Sequence, residues 1–304
     1  MSQPCFKVRG YMKKFIVPPE SKFSLAGYNT GWAQSAFLKK AGEKEAEKLL
    51  VAKLADDRAD LAQAQEVLWS AKSHAILIIL QGMDTAGKDG TIRHVMSGVN
   101  PQGCRVQGFG VPTAEEHSHD FLWRYTKVLP GRGEIGIFNR SYYEDVLVVR
   151  VHPDRLEALP PECGPETNGF WNGRFKSIRS FEKHLTRNGT IILKFFLHIS
   201  KEEQKRRLTE RLKNENKYWK FSLADLEERE YWDDYVKAYE EMLGATSTEY
   251  APWFIVPADY KWVARTAVAE VVATAISGLG LSYPRITGDA VKRLMDAGER
   301  LERE

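Results

Sequence analysis

The sequence predicts an α/β protein: a doubly wound parallel sheet of about five strands flanked by helices. Three observations carry that expectation. Short, uniformly apolar runs recur along the chain, segments of helical periodicity separate them, and the first run leads through a glycine-rich turn into a helix. Composition agrees, since 304 residues suffice for one elaborated domain and 43% hydrophobic against 28% charged residues is a globular balance.

Residues 1–33 carry scattered Pro, Gly and aromatic residues without a period and are expected to form an extended arm. From 34 to 72, Phe37, Leu38, Leu49, Leu50, Leu54, Leu61, Val67 and Leu68 recur among charges at helical spacing. One or two long amphipathic helices are expected there, divided at Gly42. The run 75–80 (Ala-Ile-Leu-Ile-Ile-Leu) suits a strand buried on both faces. Comparable runs at 135–138, 191–197 and 253–256, with a weaker one at 105–109, supply the other strands. Helices are expected at 91–97, 113–127, 170–187 and 201–213, the second opening on Thr113-Ala-Glu-Glu116 as an N-cap with acidic first turn. A second charged helix is expected over 222–243, so 200–245 reads as a helical excursion from the sheet. Further helices fall at 263–276 and after Thr287. The expected organisation is a single domain, 1–304. It comprises an N-terminal helical extension (1–72), a core (73–199 with 246–284), a lid (200–245) and a C-terminal helix (285–304).

The longest apolar run is six residues, far short of the roughly 20 that span a bilayer, and no basic-then-apolar segment opens the chain. Cys5, Cys104 and Cys163 lie far apart without metal-ligand spacing, which fits a reducing compartment. A cytoplasmic protein with no membrane partner is expected. A net charge of +3 from 44 basic and 41 acidic residues is too balanced for a nucleic-acid binder. Within 201–220, however, eight basic residues stand against four acidic ones.

Gly82-Met-Asp-Thr-Ala-Gly-Lys88 has the G-x-x-x-x-G-K spacing of a phosphate-binding loop, between an expected strand and an expected helix. Glycines at 82 and 87 let the backbone of Thr85 and Ala86 wrap an anion, the helix start adds partial positive charge, and Lys88 brings an ammonium. Asp89 replaces the Ser or Thr that usually follows the lysine, and Asp84 sits inside the loop. Two acids beside a polyanion call for a divalent cation, with Asp84 the leading ligand and Asp89 either a ligand or a helix partner. After the third expected strand, Asn139-Arg-Ser-Tyr-Tyr-Glu-Asp145 offers Glu144 and Asp145 for the second side of that cation or for the acceptor, with Arg140 and Arg150 for phosphates. Arg207 and Arg211 lie four apart on one helix face, where a lid would bring charge over a migrating phosphoryl group. Lys213, Lys217 and Lys220 extend that charge toward a longer polyanion. His117 and His119 read as a solvated helix face and His198 as a hydrogen-bonded core residue.

These segments together resemble the family-2 polyphosphate kinases. The likeness rests on Gly82-Met-Asp-Thr-Ala-Gly-Lys-Asp-Gly-Thr-Ile-Arg93, Val99-Asn-Pro-Gln-Gly103 and Phe138-Asn-Arg-Ser-Tyr-Tyr-Glu-Asp-Val-Leu-Val-Val-Arg-Val151. It continues through Ile192-Leu-Lys-Phe-Phe-Leu-His-Ile-Ser-Lys-Glu-Glu-Gln204, Trp219-Lys-Phe221 and Ser247-Thr-Glu-Tyr-Ala-Pro-Trp253. The resemblance implies a P-loop kinase-like core with a helical lid, and reversible phosphoryl exchange between inorganic polyphosphate and nucleotides (AMP to ADP, ADP to ATP). It implies Asp84, Lys88, Asp145 and Arg207 as catalytic positions, with Asp84 and Asp145 organising Mg2+ (Mn2+ as substitute). By the same likeness Arg93, Arg150, Arg207 and Arg211 grip phosphates, while Asn139, Arg140 and Glu144 lie at the nucleotide. Asn139 and Glu144 resemble the subgroup that accepts both AMP and ADP, guanine nucleotides being a further acceptor class. A homo-oligomer is expected, with the N-terminal helices as its interface. Two rival readings share the loop: an ATP-dependent nucleoside monophosphate kinase, and a protein that only binds nucleotides or nucleic acid.

Overall fold

A computed structural model describes residues 10–156 and 159–304; Cys5 and the start of the arm lie outside the described residues. Strand β1 (Ala75–Gln81) is buried along its whole length, as an all-apolar run with cover on both faces must be. The others are β2 (Cys104–Gly108), β3 (Ile135–Asn139), β4 (Thr190–His198) and β5 (Trp253–Pro257), all parallel in the order β2-β3-β1-β4-β5. The chain therefore runs out to β2, returns to β3 beside β1, then crosses to β4. That reversal places the carboxyl ends of β1 and β3 side by side at the crevice where such sheets bind ligands. In register, Ile79 lies opposite Phe138 and Leu80 opposite Asn139.

The helices, in chain order, are α1 (Ala36–Ala41), α2 (Glu43–Ala71), α3 (Lys88–Val95), α4 (Ala114–His117), α5 (Trp123–Thr126) and α6 (Glu144–Val151). After them come α7 (Phe170–Arg187), α8 (Lys201–Leu212), α9 (Leu223–Glu227), α10 (Trp232–Thr246), α11 (Lys261–Ser277) and α12 (Asp289–Glu302). They pack as two groups, α2 and α3 on α11, and α6 and α7 on α10. Gly42 divides α1 from α2 at φ 84°, as expected. The arm joins the sheet: Val17 N–H donates to Trp253 O (2.9 Å) and Ile16 bridges Phe254, covering the edge of β5.

Two helix expectations need correction, one being the helix expected over 222–243, which splits into α9 and α10 around 228–231. The helix expected over 113–127 is broken into α4 and α5. Thr113 and Glu116 do form a capping box, but Ser118 Oγ donates to Glu115 O and Asp120 Oδ1 accepts from Leu122 N–H. Such side-chain bonds compete with the helical ladder and stop it. Within 200–245, the stretch expected as the lid, burial is uneven. Gln204, Arg207 and Leu208 of α8 are buried, as are Ala238, Tyr239, Met242 and Leu243 of α10, so both helices belong to the core. What projects is the stretch 213–231, with Trp219 78% exposed.

Beneath the β3–α6 turn lies a charge pair with no solvent exposure on either side chain, Lys194 of β4 and Glu182 of α7, at 2.7 Å. The ammonium's three donors go to Glu182, Tyr143 Oη (2.9 Å) and Thr246 O (2.8 Å). Glu182 Oε1 in turn accepts from the hydroxyls of Tyr142 (2.9 Å) and Tyr143 (2.7 Å). Burial pulls the Lys194 ammonium below the usual amine range and Glu182 opposes that shift. Every member is satisfied, so removing one partner is costly. Glu182→Leu is expected to lower unfolding stability by about 3–5 kcal/mol in guanidinium titrations, and Glu182→Leu with Lys194→Met to lose less than the single variant.

Candidate active site

The chain leaves β1 at Gly82 with φ 153°, where a Cβ would sit 2.8 Å from Leu197 O of β4. Only glycine fits that approach. The turn then passes through Thr85 (φ 63°) and Gly87 (φ 106°) into α3, which begins without a side-chain cap. Its first N–H groups therefore remain available to an anion. The carbonyls facing away are all held. Lys88 Nζ donates to Gly82 O (2.7 Å) and Met83 O (3.4 Å), and Gln204 Nε2 to Asp84 O (2.9 Å). Arg207 Nη1 donates to Thr85 O (2.9 Å) and Ala86 O (3.0 Å). Burial first, and Arg140 second, draw the Lys88 ammonium down to about 8, against Asp84, Glu144 and Asp89. The Thr85 hydroxyl is buried without a partner.

Beside the loop, the start of the β3–α6 turn is strained: Arg140 has φ 66°, and its N–H bonds Leu80 O at 3.1 Å. Its guanidinium bridges Asp84 (2.7 Å) and Glu144 (3.1 Å), which hold it charged despite burial. Asn139 Nδ2 donates to Asp89 Oδ1 at 2.6 Å, so Asp89 fixes the neighbouring turn. Asp145 Oδ2 accepts from the Tyr125 hydroxyl at 3.0 Å; burial first, then Asp145, push that hydroxyl well above its usual range.

Two cavities meet here. One of 680 Å³ is lined by the loop residues Asp84, Thr85, Gly87, Lys88 and Asp89 with Asn139, Arg140 and the lid residues Arg211, Lys217 and Lys220. The other, 470 Å³, has apolar walls from Val111, Pro112, Phe121, Tyr125, Val148 and Val149, with Glu144 and Asp145. Asp84, Phe109, Gly110, Arg140 and Asp225 line both. Asp84 and Asp145 thus face the same cleft.

Of the other expected residues, Arg207, Arg211 and Asn139 line the loop cavity, while Arg93, Arg150 and Lys213 lie outside both linings. Arg207 was expected over the phosphates; it lies under the loop, and its five N–H donors are all engaged, with Glu203 (2.7 Å), Ala258 O (2.5 Å) and Asp259 O (3.0 Å) besides the two loop carbonyls. Arg150 packs over Trp171 and pairs with Glu241, away from either cavity. Lys213 ends α8 exposed, and Arg93 is exposed on α3, both outside the cavity linings. Arg211 lines the first cavity but bonds Lys220 O (2.7 Å) and Asp225 (3.1 Å). Asn139 lies on the loop side of the cleft rather than in the apolar cavity. His117 and His119, expected on a solvated face, line the apolar cavity, His119 stacked 3.8 Å from Trp123. Among the described residues no cluster of three or more His, Cys, Asp or Glu is set to hold a metal on its own.

Sequence reasoning missed Gln204, Asp225 and Lys261, all of which touch the loop or line its cavity. Asp225 reads locally as a first-turn acid after the Ser222 cap, and nothing in the sequence marks its pairing with Arg211.

Two outcomes follow from this geometry. Arg207→Lys keeps the charge but loses the planar fork, so kcat is expected to fall by about 100-fold through loop misplacement, with a smaller change in donor KM. Lys88 in the free protein sheds its proton as pH passes about 8, whereas a bound polyanion keeps it charged. Affinity for inorganic triphosphate is therefore expected to drop above that pH and binding to take up protons. Calorimetry in buffers of different ionisation enthalpy reads the uptake, and Lys88→Met should abolish it.

The chain is similar to known proteins. The family model described as polyphosphate kinase 2 matches residues 44–280. An ADP-polyphosphate phosphotransferase of Rhodopseudomonas palustris is 53% identical over 242 residues, covering 79% of this chain and 84% of that protein. An AMP/ADP-polyphosphate phosphotransferase of Meiothermus ruber is 46% identical over 274 residues, covering 90% and 96%. The crystal structure of polyphosphate kinase 2 from Arthrobacter aurescens superimposes with a TM-score of 0.83 at 41% identity, covering 96% of this chain and 98% of that one. The loop, the strand order and these matches place one conclusion beyond the fold: the chain belongs to the polyphosphate kinase 2 family.

Proposed function

We propose that the cleft moves the terminal phosphoryl group of inorganic polyphosphate to adenine nucleotides, AMP to ADP and ADP to ATP, and back. The observation that carries this reading is the junction of a cation-lined cavity with an apolar one at Asp84 and Arg140. A polyanionic donor suits the loop side, with Lys88, Lys217 and Lys220, and a nucleoside suits the apolar side. The phosphates of the two substrates then meet beside Asp84. The activities for which the Rhodopseudomonas and Meiothermus relatives are named support the same donor and acceptors.

In the displacement, a terminal phosphate oxygen of the nucleotide attacks the end phosphorus of the chain. The P–O bond to the next phosphate breaks, and the chain leaves one unit shorter. The acceptor is already anionic, so no residue has to remove a proton. The loop N–H groups and Lys88 orient the donor and take up charge on its oxygens. Arg140 holds Asp84 and Glu144 in place across the junction. The donor set fits Mg2+: Asp84 and Asp145 offer carboxylate oxygens toward one cleft without completing a coordination sphere, the usual arrangement where substrate phosphates and water supply the rest. Bound there, Mg2+ (or Mn2+) would neutralise phosphate charge. Exposed Phe37, Leu49 and Val51 on α1 and α2 support a homo-oligomer, and a cytoplasmic setting fits a chain in which no described helix is long and apolar enough to cross a membrane.

Phosphorus NMR of the protein with Mg2+ and polyphosphate, adding AMP, ADP and GDP in turn, tests the reading. Growth of ADP and ATP resonances at the expense of chain phosphates is expected, with GDP as a further acceptor. Transfer that requires ATP and ignores polyphosphate would overturn it. Lys88→Ala and Asp84→Ala are each expected to cut kcat/KM by about 10²–10³ or more with unchanged circular dichroism.

A further inference from the structure

We propose that a long polyphosphate chain, on leaving the phosphate loop, crosses the start of α3 and follows α11, where Lys261, Arg265 and Arg93 form an outer phosphate subsite. The proposal rests on the polyphosphate reading of the cleft.

Lys261 lines the 680 Å³ loop cavity and also an adjoining open groove of 720 Å³, which Arg265 lines as well. The surface is therefore continuous from the loop to α11. Arg265 lies one helical turn beyond Lys261, and its Nη2 stands 3.9 Å from where a Cβ on Gly90 would be, over the first turn of α3. Arg93 extends the row along α3. Gly90 keeps that ledge open.

Among the described residues the side chains of Arg93, Lys217, Lys261 and Arg265 make no hydrogen bond or ion pair, whereas Arg206, Arg207 and Arg211 each pair with an acid. Burial, then Arg93 and Arg207, draw the Arg265 guanidinium below its usual range, with no acid opposing. Lys261 is drawn down by burial and then Arg207, with Arg265 and Lys217 adding to it and Glu210 opposing. Crowded like charge of this kind is relieved by a polyanion. The groove's other acids stand apart from that row or are engaged: Glu203 with Arg206 and Arg207, and Asp259 with Thr30 Oγ1 and Ser200 N–H. Glu47 and Glu202 also line it, which confines a polyanion to the α3–α11 side. Lys88, Lys217 and Lys220 already face the loop cavity, so the outer cations are assigned to the part of a chain that extends beyond it.

Calorimetric titration with inorganic triphosphate and with polyphosphate of several tens of units tests this in the full chain. Arg265→Glu is expected to weaken binding of the long chain about tenfold while shifting triphosphate affinity less than twofold, a selectivity that 0.5 M salt should erase. Arg93→Gln, at an exposed position, is expected to act in the same direction and guards against a folding defect. Equal weakening for both chain lengths, or none for either, would overturn the outer subsite. Wild-type protein that binds neither polyphosphate would instead overturn the reading of the cleft.

Discussion

A turn that binds an anion through its N–H groups must turn its carbonyls the other way, and those carbonyls need donors. In this molecule three side chains supply them: Lys88 for residues 82 and 83, Gln204 for 84, and Arg207 for 85 and 86. Leaving buried carbonyls unpaired would cost about 1–3 kcal/mol each, enough to let the turn relax into another shape. Two of the three donors come from α8, the helix that runs on into the lid. The shape of the phosphate site therefore depends on a helix more than a hundred residues downstream, and the further contacts of Arg207 with Ala258 O and Asp259 O extend the dependence to the end of β5.

The second wall of the cleft has a comparable foundation. Ser141, Tyr142 and Tyr143 form the turn that carries Arg140 and Glu144, and all three are buried. Glu182 and Lys194 grip both tyrosine hydroxyls from below. A charge pair so deep is weak as a stabiliser, because desolvation offsets its attraction. Its value lies in direction: each partner has one satisfied arrangement, which fixes where the turn emerges. That fixity is what keeps Arg140 at an unfavourable φ while it spans Asp84 and Glu144.

Legibility from sequence followed the range of the interactions. β1, β3, β4 and β5 were readable because a doubly covered strand must be predominantly apolar, a property of the run itself, whereas β2, largely exposed at the sheet edge, left only a weak run. The loop was readable because the spacing of Gly82, Gly87 and Lys88 is local and its chemistry leaves little choice of residue. Arg207 was noticed, but its bonds to the loop carbonyls were not foreseen, since a basic residue on a lid-like helix carries no mark of whether it faces ligand or backbone. Arg150 was misplaced for the same reason: its partners, Trp171 and Glu241, arrive from α7 and α10. The break at 118–122 was missed because no Gly or Pro marks it, while Ser118 and Asp120 divert the backbone through their side chains.

The division of α8 bears on how the lid works. Its first two turns are locked to the loop through Gln204 and Arg207, so they cannot swing without dismantling the anion site. The projecting stretch 213–231 is instead tied by side chains that make no bond to the loop backbone. Arg211 holds Lys220 O and Asp225, and Glu228 accepts from Tyr235 and pairs with His152 (2.8 Å) and Arg155 (3.2 Å) of the β3–α6 side. Any opening must therefore hinge after Arg207 and work by exchanging the Arg211–Asp225 contact. Asp225 lines both cavities, so that ion pair stands where the two substrates meet.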